Sequence, residues 1–521
     1  MQAMVEVSSG RLLGTREERC FVFRGIPYAQ APIGNRRLLS PSPPPPWAGV
    51  REALQFGPAA PQTHSELMTM TGWSAGASIS EDCLSLNIWT PTLDNQRRPV
   101  LVWIHGGAFT IGAGSQGAYD GTSLCTRGDV VVVTLNYRLG ALGFLSLEAL
   151  RSREEGSLGN FGIRDQIQAL AWVRENIGEF GGDPDRVTVF GESAGATSVG
   201  TLFAAPTAQP LFQRAILQSG HVYNVSYEEA MLEAGERFMR ELDLAPNDID
   251  ALLKLPSHAL LEAQDRFVQK NPDGEWAMPF QPVVDGALLT EMPSSALENG
   301  GGAGKAMLAG TNLDEMKLYL LDDPDVLSLS SEDLLRRMNR VLASPDGEGR
   351  DWSTPVIEAY RQDMPSVPVH ELWWAMETDR RMRVPAIRMV ERFLQHSDNA
   401  FMYLFDWSSP AFGGMVGSCH TLEIPFVFGT TAQDWAPPLI GEGEPVTSLS
   451  DLIQESWVQF AHSGNPSSPS FGEWPAYRTE DRMTAILGAH TQAQSAPLDS
   501  RRVAWDQHPE ARDRWTRARQ R

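Results

Sequence analysis

The run Val187-Thr-Val-Phe-Gly-Glu-Ser-Ala-Gly195 constrains this chain more than any other stretch. A short β-branched strand leads straight into Gly-x-Ser-x-Gly, and the helix-compatible residues Ala194, Gly195 and Ala196 follow. That order spells a strand, a sharp turn and a helix, with a serine at the turn. A serine held there takes a backbone conformation that L-residues avoid, so strand and helix must approach with no side chain between them. Gly191 and Gly195 meet that demand. Ser193 is therefore the candidate nucleophile. In a chain with 46 glycines the five-residue pattern alone arises by chance, and the preceding strand is what makes it specific.

The surroundings of this turn repeat the strand–helix alternation. Leu84–Trp89, Pro99–His105 and Asp129–Tyr137 read as strands, as do Arg214–Leu217, Ala306–Ala309 and Phe401–Phe405. Several are apolar on both faces, as expected where helices cover both sides of a sheet. Ile163–Phe180 has helical spacing and stops at Gly181-Gly182 before Asp183-Pro184. Shorter strands, Val5–Val7 and Cys20–Phe23, precede an extended Pro-rich connector, Pro41–Trp47. The expectation is an α/β fold: one domain over 1–521, a mostly parallel central sheet with helices on both faces, and helical insertions at about 226–300 and 320–398.

Composition removes several classes of function. A net charge of −22 argues against nucleic acid and against anionic membrane surfaces as partners. The apolar runs are too short to span a bilayer, and the first residues lack the pattern of a secretory signal. Four cysteines, Cys20, Cys83, Cys125 and Cys419, are widely scattered with neither a C-x-x-C pair nor metal-ligand spacing. These features point to a reduced, cytoplasmic protein with no metal and no organic cofactor. The oligomeric state is not readable from the sequence.

A serine nucleophile needs oxyanion donors, a base and a group that orients the base. His105-Gly-Gly-Ala-Phe109 follows directly on an apolar strand, where backbone N–H groups can face a substrate carbonyl. Gly107, Ala108 and Ala194 are the candidate donors, each worth a few kcal/mol in comparable sites. Gly112-x-Gly114 lacks the third glycine of a dinucleotide site. Of ten histidines, His420 is the best candidate base, in a loop after the last clear strand and before Ile424–Phe428. His221, just past a strand end, also merits attention, whereas His105 lies too close to the glycine turn. The acid should lie between nucleophile and base in the chain. Leu308–Glu315 offers a strand, a glycine turn and two carboxylates, and the residues alone leave Asp314 and Glu315 open.

Taken together, the motifs resemble the type-B carboxylesterase/cholinesterase family of α/β-hydrolases. Phe180–Gly195 matches its serine signature, and Glu81-Asp-Cys-Leu-Ser-Leu-Asn87 a second one apart from Ser85. Phe23–Ala29, Asn136–Gly140, Gly159–Gln166, Gln218–Gly220 and Phe460–Gly464 extend the likeness from about residue 5 to about 480. Bacterial members, para-nitrobenzyl esterases among them, are nearer than animal ones. The resemblance implies the α/β-hydrolase fold, Glu315 as the acid from Asn312-Leu-Asp-Glu315, and His420 as the base from Gly417–Phe426. It places Ser219 near the histidine, Gly106 beside the oxyanion turn, and Glu81 in a structural ion pair with Arg138. No cysteine lies between Cys20 and Cys83 to pair with Cys83 as in secreted relatives. The implied activity is hydrolysis of small, neutral alkyl or aryl esters through an acyl-enzyme. Amides, carbamates, lactones or thioesters would use the same machinery, and a non-catalytic protein of this fold would be expected to lack the serine or histidine. Met68, Met70 and Trp73 of the 64–80 loop are expected either to line the pocket or to join the core.

Overall fold

The computed structural model describes residues 2–17, 19–63, 78–153, 156–270, 278–320, 323, 325–342 and 351–506. In chain order the strands are β1 (Gln2–Val7), β2 (Gly10–Arg16), β3 (Phe21–Pro27), β4 (Val50–Glu52), β5 (Ser85–Thr90), β6 (Arg98–Ile104) and β7 (Val131–Leu135). They continue with β8 (Gly182–Glu192), β9 (Arg214–Gln218), β10 (Ser226–Tyr227), β11 (Val283–Val284), β12 (Ala306–Asn312), β13 (Ala400–Phe405), β14 (Thr484–Leu487) and β15 (Gln492–Gln494). Among the described residues, thirteen form one sheet in the order β1-β2-β3-β5-β7-β6-β8-β9-β12-β13-β14-β15, with β4 beside β2. From β7 to β14 every neighbour along this order is parallel, while β1, β2, β3, β5 and β7 pair antiparallel in turn, β4 lies parallel to β2, and β15 pairs antiparallel with β14.

Alternation along single strands explains the continuous apolar runs. Val100, Val102 and Ile104 of β6 enter one core, and Leu101 and Trp103 enter the other. Val131, Val133 and Leu135 of β7 repeat this, with Val132 on the opposite side. Eight helices matter for the site: α1 (Thr122–Gly128), α2 (Phe161–Asn176), α3 (Ala194–Leu202), α4 (Lys317–Leu320), α5 (Val369–Thr378), α6 (Val384–Phe393), α7 (Ile424–Phe428) and α8 (Glu444–Ser463). The buried apolar residues of α2, α3 and α6 cover one face of the sheet, and those of α1, α7 and α8 cover the other. A third core, away from the sheet, joins Leu334, Tyr360, Trp373, Trp374 and Trp505. No helix among the described residues is long and apolar enough to cross a membrane.

Three expectations need correction or qualification. The helix expected to reach Phe180 is α-helical only to Asn176 and tightens to a 3-10 turn over Ile177–Phe180. β8 already begins at Gly182, and its register against β6 breaks between Gly182 and Val187, so the acidic Asp183–Arg186 segment bulges out. The Glu81–Arg138 pair does not form. Arg138 meets Asp165 of α2 at 2.6 Å, both buried, and Glu81 is gripped by Arg37 at 2.5 and 2.7 Å. The physical reason is access, since Asp165 lies on the inward face of the helix packed beside Arg138 while Glu81 keeps some contact with solvent. Met68, Met70 and Trp73 lie outside the described residues.

Candidate active site

β8 ends at Glu192, α3 starts at Ala194, and Ser193 between them takes φ 56°, ψ −120°. That conformation is strained for a residue with a side chain, and close packing holds it in place. A Cβ on Gly195 would lie 2.0 Å from the Ile104 carbonyl oxygen, and one on Gly191 would lie 2.6 Å from the Gly195 backbone. Strand β6, the turn and α3 therefore touch backbone to backbone. Ser193 N–H donates to the Gln218 carbonyl of β9 at 2.9 Å, which ties the turn to the next strand.

After β6 the chain turns through Gly107, Ala108 and Phe109, all with positive φ (102°, 52° and 61°). A Cβ at Gly107 would meet the Ile111 carbonyl oxygen at 2.1 Å, so this position needs glycine. Gly106 lies under the nucleophile, and a Cβ there would sit 2.7 Å from the Glu192 carboxylate. Ala108, Ser193 and Ala194 share the wall of one cavity. The Ala194 N–H is one of the first, intrahelically unsatisfied donors of α3, at the positive end of that helix. His105 does not approach the serine. Its ring stacks on Tyr137 at 4.5 Å, and burial lowers its pKa to about 4.

The acid and base come from the C-terminal ends of neighbouring parallel strands. Glu315 follows β12, and its Oε2 lies 2.6 Å from His420 Nδ1. Its other oxygen accepts from the Asn312 N–H at 2.7 Å. Asp314 faces elsewhere, accepting from Ser418 N–H at 2.9 Å and pairing with Lys317 at 3.1 Å. It anchors the loop that carries His420. The structure thus brings Ser193, Ala108, Ala194, Glu315 and His420 to one end of the sheet. Ser219 lines the same cavity, with its buried hydroxyl making no hydrogen bond to histidine or to any other group among the described residues. His221 faces away: its Nε2 contacts the Arg381 carbonyl at 2.7 Å, and burial pulls its pKa to about 4.

Several residues of the site escaped the sequence reading. Glu192, inside the serine motif, places Oε1 3.0 Å from His420 Nε2, although the angles do not make a hydrogen bond. Glu423, inside the histidine motif, accepts from Asn312 Nδ2 at 2.7 Å and Gln218 Nε2 at 3.0 Å. Burial, with a push from the other carboxylates, raises the pKa of both Glu192 and Glu423. For His420 burial works against the charged form, but Glu192 and Glu315 outweigh it and push the imidazole up to about 9. Tyr319 of α4 touches the Ser193 side chain with its phenol and packs its ring 5.2 Å from that of His420. The remaining cavity wall includes Thr197, Asn224, Met278, Met316, Arg381 and Met382. Motif spacing could have flagged Glu192 and Glu423, but no sequence signal marks Tyr319 or the 381–382 pair.

A serine on a strained strand-to-helix turn, at the C-terminal end of a parallel sheet and beside a buried Glu–His pair, defines an α/β-hydrolase. The profile of the Carboxylesterase family matches residues 1–505, and the chain belongs to that family. It is 37 % identical to the para-nitrobenzyl esterase of Bacillus subtilis (strain 168), over 96 % of this chain and 97 % of the relative. It is 31 % identical to a phenmedipham hydrolase of Pseudarthrobacter oxydans, over 93 % and 95 %. Among solved structures, a carboxylesterase of Geobacillus stearothermophilus superposes with a TM-score of 0.84 at 38 % identity, covering 96 % of this chain and 99 % of that one. The protein is a carboxylic ester hydrolase.

Proposed function

We propose that the chain hydrolyses small, neutral alkyl or aryl esters through an acyl-enzyme on Ser193. His420 accepts the Ser193 proton and returns it to the departing alcohol, then repeats the cycle with water. Glu315 holds the imidazole tautomer and stabilises the imidazolium through its 2.6 Å contact with Nδ1. The N–H groups of Gly107, Ala108 and Ala194 receive the oxyanion. The observation that carries this reading is the junction of the strained Ser193 and the buried Glu315–His420 pair at one end of the sheet.

The cavity supports the substrate class. Met278, Met316 and Met382 present adaptable apolar surface, suited to neutral acyl and alkyl groups of varied shape. The net charge of −22 supports a small-molecule partner over nucleic acid, and four buried free cysteines suit a reducing, cytoplasmic setting. The test is reaction with diethyl p-nitrophenyl phosphate, followed by peptide mass spectrometry. The expected result is stoichiometric release of p-nitrophenol, lost esterase activity and a phosphoryl adduct on Ser193. An active protein whose mass the reagent leaves unchanged would overturn the assignment.

A further inference from the structure

Tyr319 occupies a position that the triad chemistry leaves unused. Its phenol is in hydrogen-bond contact with the Ser193 side chain, and its ring lies against His420 at 5.2 Å with the planes inclined by 49°. It shares the cavity wall with Ser193, Ala108 and Ala194. Burial, reinforced by Glu192 and Glu315, pushes the phenol well above its ordinary pKa, so it stays protonated and keeps an O–H to donate in a hydrogen bond.

The tetrahedral intermediate on Ser193 would carry three oxygens. The oxyanion belongs to the backbone donors, Oγ is bonded to the serine, and the third belongs to the departing alcohol. That alcohol must leave on the His420 side to collect a proton from Nε2. A donor that touches Oγ and packs on the imidazole stands next to that oxygen. We infer that Tyr319 is a leaving-group donor, which makes esters of unactivated alkyl alcohols the substrates this site is built to cleave. The inference rests on the acyl-transfer reading of Ser193.

The step balances without a further reactant. The Oγ–C bond forms as the Ser193 proton passes to His420. The C–O bond to the alcohol then breaks as that proton passes to the alcohol oxygen. Tyr319 donates a hydrogen bond to this oxygen while charge builds there and keeps its own proton throughout. The benefit grows with the basicity of the leaving oxygen. It is therefore larger for an alkoxide than for p-nitrophenolate, which carries its charge unaided.

The experiment compares p-nitrophenyl butyrate with ethyl butyrate on Tyr319→Phe. The two esters share one acyl-enzyme, so any difference between them arises in acylation. Active sites are counted with diethyl p-nitrophenyl phosphate, which removes misfolded protein from the comparison. Per active site, kcat/KM for ethyl butyrate is expected to fall about tenfold further than that for p-nitrophenyl butyrate, the factor one neutral hydrogen bond supplies. An equal fall for the two esters would show that the phenol only positions Ser193, and no fall would remove it from the reaction. Either result overturns the proposal. Failure of the phosphate to label Ser193 in the unmutated protein would instead overturn the underlying mechanism.

Discussion

His420 sits between two carboxylates, Glu315 at 2.6 Å from Nδ1 and Glu192 at 3.0 Å from Nε2. In the proposed mechanism the Glu315 contact supports the imidazolium, which needs an anion behind it. The Glu192 contact has the opposite consequence, since a base kept protonated cannot take the proton from Ser193. His420, pushed up to about 9, turns over only as pH rises through its titration, so kcat/KM should climb on an acid limb displaced above that of an ordinary histidine. Glu192→Gln removes one of the two charges that raise it. The midpoint of the acid limb should then fall by about one pH unit, read from kcat/KM against pH with p-nitrophenyl acetate. An unmoved limb would show that Glu192 is already neutral in the free enzyme. The same neighbourhood shows how far residue patterns reach. Ser193 and His420 could be singled out from spacing and chain order, whereas the choice of Glu315 over Asp314 came only with the family resemblance. Glu192 and Glu423 stood inside the same motifs, but the direction in which a carboxylate turns depends on partners from other strands, here Gln218 and Asn312.

At the scale of elements, the parallel strands announced themselves through runs apolar on both faces, whereas antiparallel strands at the two ends of the sheet, such as Gly10–Arg16 and Gln492–Gln494, have no such runs. The helical region 320–398 was legible as helical, but not the feature within it that meets the cavity. Between α5 and α6 the chain makes a π-turn over Asp379–Arg383, and the added residue shifts the phase of everything after it. Arg381 and Met382 reach the cavity through this turn, an insertion that 3.6-residue periodicity cannot reveal. One carboxylate stabilises the start of the turn: Glu377 is buried and receives Arg380 at 2.7 and 2.8 Å and Arg381 at 2.7 Å. Burial opposes its ionisation, but the two guanidinium groups prevail and hold its pKa at about 2. Glu377→Gln should cost about 3 kcal/mol near neutral pH, because it removes the charge that faces two half-hidden cations. The sign of the pH dependence follows from the depressed value. The native contribution is complete above the ordinary glutamate pKa and disappears as pH falls toward 2, so the stability gap between wild type and variant should close over that window. Urea unfolding at several pH values measures it.

Across the whole molecule, the sheet holds the proposed catalytic groups, while Arg381 and Met382 of the cavity wall belong to the π-turn, which is tied through Asp379 to Tyr360 of the separate helical core that also holds Trp373, Trp374 and Trp505. The last described helix, Asp499–Asp506, carries Trp505 of that core. Trp505 Nε1 donates to the Tyr360 hydroxyl at 2.8 Å, and that hydroxyl donates to Asp379 in the π-turn. Asp379 in turn accepts from Arg383 Nε at 2.6 Å, and Arg383 reaches back to the Pro497 and Leu498 carbonyls at 3.4 Å. This closed chain of hydrogen bonds runs from a tryptophan near the end of the described residues to the turn that presents Arg381 and Met382. None of it is legible in sequence, since its members are spread from 360 to 505 with no periodic relation. It makes a remote residue matter for activity. Trp505→Ala should cost about 3–5 kcal/mol through lost burial, and Trp505→Phe, which keeps most of the apolar contact and loses the N–H, about 1 kcal/mol. Because the damage begins in the helical core, esterase activity of the alanine variant should disappear on heating before the far-ultraviolet ellipticity of the sheet does. Loss of activity and ellipticity at one temperature would mean that sheet and helical core unfold as a single unit, and that the hydrogen-bond chain does not separately govern the cavity wall.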